Sequence, residues 1–224
     1  MSQRPAAERR ADLVALFHEL SDDHRCPLAA TRRQVVFGAG NADADLMFVG
    51  EASGESEDRE GKPFVGAAGR LLDKLLAEIG LERSDCFIAN VLKCRPPGNR
   101  DPRPEEIEEC RPHLLRQIEL IEPRVICTLG NFATKLLSGS PQGITRVHGR
   151  LQTRDLGALE VQLYPLFHPS AALRTPAVLE QLRADIARLP AVLEEARRPP
   201  TPAGPPEPPG PDRATPAPQL GLFG

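Results

Sequence analysis

Asp45-Leu46-Met47-Phe48-Val49-Gly50-Glu51-Ala52-Ser53-Gly54-Glu55-Ser56-Glu57-Asp58, followed by Pro63-Phe64-Val65-Gly66, is the stretch whose reading decides the fold. Its first five residues read as a buried strand that stops at a glycine. A turn carrying several carboxylates follows, and then a lone aromatic, Phe64, between Pro63 and glycines. Next, Leu71, Leu72, Leu75, Leu76 and Ile79 recur at helical spacing, and Gly80 ends the pattern. Strand, acidic loop, helix is the order in which α/β proteins build a site at the carboxyl end of a sheet. The loop is too polar and too long for a structural turn, so chemistry is expected there.

Similar apolar runs recur along the chain. Cys86–Leu92 fits a central parallel strand interrupted by a polar Asn90, and Arg124–Leu129 reads as a third strand. Val161–Phe167 is a fourth, running into His168-Pro169-Ser170, while Gln34–Gly38 looks like a short edge strand. Residues 5–20 form an amphipathic pattern through Leu13, Leu16, Phe17 and Leu20. Pro104 opens a helix with Glu105 and Glu106 in its first turn, which Pro112 should bend or break. Further helices are expected over Asn131–Leu137 and Ala177–Leu189. The alternation predicts an α/β fold, a three-layer α/β/α sandwich around a mainly parallel four-stranded sheet.

A chain of 224 residues, 40% of them hydrophobic, suits one globular domain, assigned to residues 1–197. From Arg198 the composition changes. Ten of the 24 prolines fall between Pro199 and Pro218, so residues 198–224 are expected to form a disordered tail. No apolar run approaches the ~20 residues that span a bilayer, and the amino terminus lacks a signal-peptide segment. The expected location is therefore cytoplasmic, with no membrane association. A net charge of −3 means that any nucleic-acid surface must be local. Five cysteines in a reducing compartment suggest metal binding or buried thiols rather than disulfides.

Glu51 with its loop, Asn90 and His168 all fall near carboxyl ends of predicted strands, which converge on one edge of a parallel sheet. An amide can read both a donor and an acceptor on a planar ligand, and the Phe64 ring can stack on it. An imidazole can stabilise charge developing on a leaving group. Each residue alone has an ordinary structural reading; their joint placement describes a site for a flipped nucleobase.

These stretches resemble the family 4 uracil-DNA glycosylases, the iron–sulfur type. The likeness is carried by Gly50-Glu51-Ala52 with Gly54, Glu57-Asp58, Gly61, Pro63-Phe64-Val65-Gly66 and Ala68-Gly69. Asn90-Val91, Lys93-Cys94-Arg95-Pro96-Pro97, Asn99-Arg100, Pro104, Cys110 and His168-Pro169 continue it. The matches run in order from about Cys26 to Leu189. The resemblance implies a monofunctional enzyme of base excision repair that hydrolyses the N-glycosidic bond of uracil in DNA and leaves an abasic site. It implies that Phe64 stacks on the extruded uracil, that Asn90 bonds its O4 and N3 edge, and that His168 donates toward O2. Glu51, Ala52 and Ser53 would line the pocket through their backbone, and Glu57 would sit beside C5 to refuse the methyl group of thymine. Ala52 cannot orient the attacking water, which leaves Glu51 and Glu57 as the available carboxylates.

The resemblance also implies a 4Fe-4S cluster, with Cys26, Cys94 and Cys110 as three of its ligands. The family has Cys-x-x-Cys at the first pair, whereas here Asp23 stands in place of the first cysteine. Two readings stay open: a cluster with Asp23 or another non-cysteine fourth ligand, and a cluster-free domain whose three thiols pack together. Cys86 and Cys127, inside predicted strands, are expected to be inert. Ser53 replaces the usual proline and His148 a usual arginine, for which a DNA-facing polar role is expected.

Arg95, Arg100, Arg103, Arg146, Arg150 and Arg174 are the expected DNA-contacting cations, and Ser170–Leu173 should include the wedge that fills the space of the flipped base. Gln219-Leu220-Gly221-Leu222-Phe223 resembles the peptide by which bacterial repair proteins dock on the sliding clamp. On a flexible tether, Gln219, Leu220, Leu222 and Phe223 would raise effective concentration at the target. The protein is expected to act as a monomer. A noncatalytic DNA-lesion-binding module or a clamp-associated adaptor is the competing reading.

Overall fold

The computed structural model describes residues 5–23 and 25–197. His24 and the segment 198–224, with Gln219, Leu220, Leu222 and Phe223, lie outside the described residues.

The chain opens with α1 (Ala6–Asp22), which buries Leu13, Leu16 and Leu20. A two-residue edge strand, β1 (Ala39–Gly40), precedes β2 (Leu46–Gly50). The acidic stretch that follows is partly helical: Glu55–Glu60 forms α2, with Glu55, Glu57 and Asp58 in its first turn, where unpaired N–H groups favour carboxylates. Then come α3 (Ala67–Ala77), β3 (Cys86–Asn90), α4 (Pro104–Ile121), β4 (Val125–Leu129), α5 (Asn131–Ser138) and α6 (Ile144–Val147). A hairpin of β5 (Gln152–Leu156) and β6 (Leu159–Leu166) leads into α7 (Pro169–Ala172), α8 (Pro176–Ala187) and α9 (Leu189–Arg197).

The strands form one sheet in the order β1-β3-β2-β4-β6-β5. The four expected strands, β3, β2, β4 and β6, run parallel at its centre. The sheet has six strands rather than four, because β1 and β5 add antiparallel edges. β5 escaped the sequence reading because Gln152-Thr153-Arg154-Asp155 is polar and none of its residues is buried. The expected edge strand at Gln34–Gly38 is displaced: pairing falls on Ala39–Gly40, while Val36 N–H donates to the Lys93 carbonyl just upstream.

β2, β3 and β4 are buried along their whole length, as strands covered on both faces must be. Their side chains alternate between two cores. Met47, Val49, Phe87 and Ile126 face α1, α4 and α5, whereas Leu46, Phe48, Ile88 and Cys127 face α3, α8 and α9. This is the expected three-layer sandwich. Pro112 does not break α4; it lies on the exposed side, where water can take the freed carbonyl, while buried Cys110, Leu114 and Ile118 hold the helix. The helix expected over Ala177–Leu189 is α8, and a further helix, α9, follows it after Arg188, since Pro190 cannot continue the hydrogen-bonding of α8. Among the described residues no helix is long and apolar enough to cross a membrane.

Candidate functional site

The carboxyl ends of the parallel strands meet at one edge, where Gly50 of β2 lies opposite Asn90 of β3. A Cβ at Gly50 would stand 2.4 Å from Asn90 Oδ1 and 2.7 Å from Phe64 Cζ. Only a residue without a side chain lets that amide and that ring approach each other across the strand end. The Phe64 and His168 rings are 5.7 Å apart between centroids and inclined by 31°. All three side chains line one cavity of about 240 Å³, together with Glu51, Ser53 and Ser170. A larger groove of about 780 Å³ between α1 and β1 offers no carboxylate or imidazole, so size does not decide where the chemistry lies.

Phe64 has φ of +53°, a left-handed backbone that a bulky residue adopts only when its surroundings enforce it. Arg83 donates to the carbonyls of Pro63 and Phe64. Glu57 Oε1 accepts from the backbone N–H groups of Val65 and Gly66 at 2.9 Å each, and its Oε2 accepts from Gly54 N–H at 3.1 Å. A Cβ at Gly69 would fall 1.6 Å from the Phe64 carbonyl oxygen, so this turn requires glycine there. Glu57 thus lines the pocket as the clamp of the Phe64 turn, with its carboxylate committed to three backbone donors.

Glu51 differs. Its carboxylate accepts no hydrogen bond among the described residues, and burial, with a smaller contribution from Asp101, pushes its pKa up to about 6. His168 Nδ1 accepts from Ser170 N–H at 3.1 Å and lies 2.8 Å from Ser170 Oγ. Because the backbone donor can only donate, the proton of the neutral ring sits on Nε2. Burial lowers the His168 pKa to about 4, against the opposing pull of Glu57, so the ring is neutral near pH 7. Ser53 Oγ and Asn90 Oδ1 are buried without a partner among the described residues. Both belong to residues of this cavity, and unpaired buried polar atoms of this kind are uncommon outside functional sites. A second depression of about 310 Å³ shares Glu51, Ala52, His168 and Ser170 and extends past Phe132 and Ile144.

On the other side of β3, the thiols of Cys26, Cys94 and Cys110 meet. Hydrogen bonds from Cys110 and Cys94 hold the Cys26 thiol well below its ordinary pKa, and the two donors are raised in turn. Arg32 Nη1 lies 3.4 Å from Cys94 Sγ, while its Nη2 donates to the carbonyls of Ser21 and Asp23 at 2.9 and 3.2 Å. The donor chemistry suits three corners of an iron–sulfur cluster: three thiols from separate segments beside a guanidinium that favours negative charge. The Asp23 carboxylate, however, is held by Arg25 at 2.7 Å, which lowers its pKa to about 2, and its next neighbour is the imidazole of His113, with Nε2 at 3.8 Å and a pKa that burial lowers. Among the described residues no group of three or more His, Cys, Asp or Glu side chains is arranged to hold a single metal ion. Cys86 and Cys127 are fully buried in the opposite core, with pKa values raised by desolvation.

Arg100 lines the pocket but is paired with the buried Glu106, and Arg95 Nε donates to Asn99 Oδ1 at 2.7 Å. Arg103, Arg146, Arg150 and Arg174 are exposed. Leu173, three residues beyond Ser170 of the pocket lining, is 51% exposed. His148 turns partly inward: Nδ1 meets Asp185 Oδ2 at 2.7 Å and the ring packs on Phe167 with centroids 4.5 Å apart. Sequence reasoning missed Arg83 and Ser170 as supports of Phe64 and His168. A serine two residues beyond a histidine is a weak local signal, and Arg83 carries none.

Fold and site define an α/β/α protein with a pocket lined by an aromatic ring, an amide and an imidazole at the carboxyl edge of its sheet. The family model described as the uracil DNA glycosylase superfamily matches residues 37–188. A type-4 uracil-DNA glycosylase of Saccharolobus solfataricus is 44% identical over 183 residues, covering 80% of this chain and 84% of that protein. Type-4 uracil-DNA glycosylases of Archaeoglobus fulgidus and Thermotoga maritima are 43% and 50% identical. The former covers 78% of this chain and 89% of its own, the latter 66% and 77%. The chain belongs to the uracil-DNA glycosylase superfamily, in its type-4 branch.

Proposed function

We propose that this protein excises uracil from DNA in base excision repair, by hydrolysing the N-glycosidic bond and leaving an abasic site. The observation that carries the reading is the meeting of Phe64, Asn90 and His168 around one cavity, with Asn90 Oδ1 buried and unpaired. An extruded uracil stacks on Phe64, and the Asn90 amide takes its N3–H on Oδ1 while donating to O4. As the C1′–N1 bond breaks, its electron pair moves onto the uracil ring, and the Nε2–H of neutral His168 donates to O2 where that charge collects. Glu51 faces the oxocarbenium-like sugar, orients the attacking water and accepts its proton. Glu57 acts at one remove, by fixing the turn that presents Phe64 beside uracil C5. Exposed Leu173 fills the vacated stack, and Arg95, Arg100, Arg146, Arg150 and Arg174 lie along the phosphate path.

Cys26, Cys94 and Cys110 would hold three corners of a 4Fe-4S cluster, with Asp23 at the fourth once it leaves Arg25. Through these residues a bound cluster would fasten together the segment after α1, the loop after β3, and α4. The catalytic domain spans 1–197 and acts as a cytoplasmic monomer. The segment 198–224 tethers Gln219, Leu220, Leu222 and Phe223, which dock on a sliding clamp. Incubation with uracil-containing DNA followed by alkali tests the central reading: strand scission at uracil is expected, and its absence would favour a noncatalytic DNA binder. Unchanged clamp affinity after deletion of residues 219–223 would sink the docking proposal alone.

A further inference from the structure

Lys93 lies three residues beyond the end of β3, and its side chain is completely buried. Its ammonium donates to the backbone carbonyl of Asn90 at 2.7 Å and to Gln117 Oε1 at 2.6 Å. Gln117, a buried residue of α4, donates in turn from Nε2 to the Phe37 carbonyl at 2.9 Å. One run of hydrogen bonds therefore ties the strand end bearing Asn90 to the helix bearing Cys110. Placing an ammonium out of reach of water is costly unless hydrogen bonds offset it, and here the Asn90 carbonyl and Gln117 Oε1 supply them.

The Asn90 side chain makes no hydrogen bond to the protein among the described residues, and its Oδ1 is buried without a partner. Its direction is thus inherited from its backbone and from packing against Gly50 and Phe64. The next two residues are pinned: Val91 N–H donates to the Gly50 carbonyl at 2.9 Å and Leu92 N–H to the Glu51 carbonyl at 3.0 Å. Lys93 completes this fastening by holding the carbonyl of Asn90 itself.

We infer that Lys93 is a positioning residue for base recognition, its ammonium holding the Asn90 carbonyl from α4 and so aiming the Asn90 amide into the pocket. The inference rests on the base-reading role proposed for Asn90. It is tested by single-turnover excision and by inhibition with free uracil, using the full chain and its Lys93→Met, Asn90→Ala, Gln117→Leu and combined Asn90→Ala/Lys93→Met variants. Lys93→Met should slow excision about tenfold or more per active molecule and weaken inhibition by uracil to a similar degree. The combined variant should be no slower than Asn90→Ala alone, because the ammonium acts through that amide. A purely architectural lysine would lower the reaction amplitude or the melting temperature and leave both per-site quantities unchanged. That result, or factors that multiply in the combined variant, overturns the inference. Should Lys93→Met fail to fold, Gln117→Leu removes one of the two acceptors and should shift both quantities several-fold in the same direction; wild-type values there overturn the inference equally. An inactive wild-type chain would instead count against the glycosylase reading, and a fully active Asn90→Ala variant against the role of that amide.

Discussion

The base pocket and the thiol corner lie on either side of β3, and each gathers side chains from three or more separate segments. They differ in what their polar atoms lack. In the pocket, the supporting groups are saturated, with Glu57 on three N–H donors and His168 Nδ1 on Ser170, while the Asn90 Oδ1 pointing at the ligand space has no partner. In the thiol corner, the sulfurs bond one another, Arg32 serves Cys94, and Asp23 is closed off by Arg25. A buried acceptor without a protein partner is costly unless water or a ligand supplies one. The pocket is therefore preorganised, whereas the corner has to exchange existing contacts before it holds anything.

The contrast is broken most directly at the pocket's unpaired groups. Asn90→Ala and His168→Ala should each lower the single-turnover rate by about 10²–10³, the range for removing one donor to developing charge, with little change in melting temperature. Rates within a few-fold of wild type would refute the assignment. Gly50→Ala probes the same preorganisation without touching a polar group: its Cβ would intrude on Asn90 and Phe64, and a displacement of this size should cost roughly 10² in rate. A near-normal rate in that variant would mean that the pocket yields easily.

Acidity sharpens the comparison further. In the proposed role of base, Glu51 has to be ionised, and its pKa is raised to about 6. Excision should therefore fall about tenfold for each pH unit below 6, as protonation removes the acceptor. His168 works as a neutral donor and titrates near 4, so it adds nothing to that limb above pH 5. A flat profile from pH 7 to 5, or an unchanged acid limb in Glu51→Gln, would exclude Glu51 as the base. The smallest effect on chemistry is expected at the other region. Cys110→Ser should sharply lower iron and sulfide content and melting temperature, while excision by the folded fraction falls only a few-fold. Iron analysis, thermal denaturation and active-site titration check this, and a collapse of the rate per active site would tie the corner to catalysis.

Much of this molecule was legible in the residues. The central strands announced themselves because both faces are buried, which leaves uninterrupted apolar runs such as Leu46–Val49 and Cys86–Ala89. Glu51, Asn90 and His168 stood out as polar residues at the ends of such runs, and Phe64 as a lone aromatic in the loop after the first of them. Other features carried no such mark. β5 is polar because it is an exposed edge, and β1 is only two residues long. The work of Glu57 depends on the backbone N–H groups of Val65 and Gly66, which every residue but proline possesses and no side-chain pattern advertises.

The residues alone determined a parallel α/β sheet, the edge where the candidate site lies and a family, since burial periodicity and side-chain chemistry are written locally. Tertiary structure decided which carboxylate is free and which is a clamp, where the proton of His168 resides, and that a buried lysine grips the strand end behind Asn90. Those properties arise from backbone partners and exclusion of water supplied by residues distant in the chain, and they exist only once the layers have closed around the sheet.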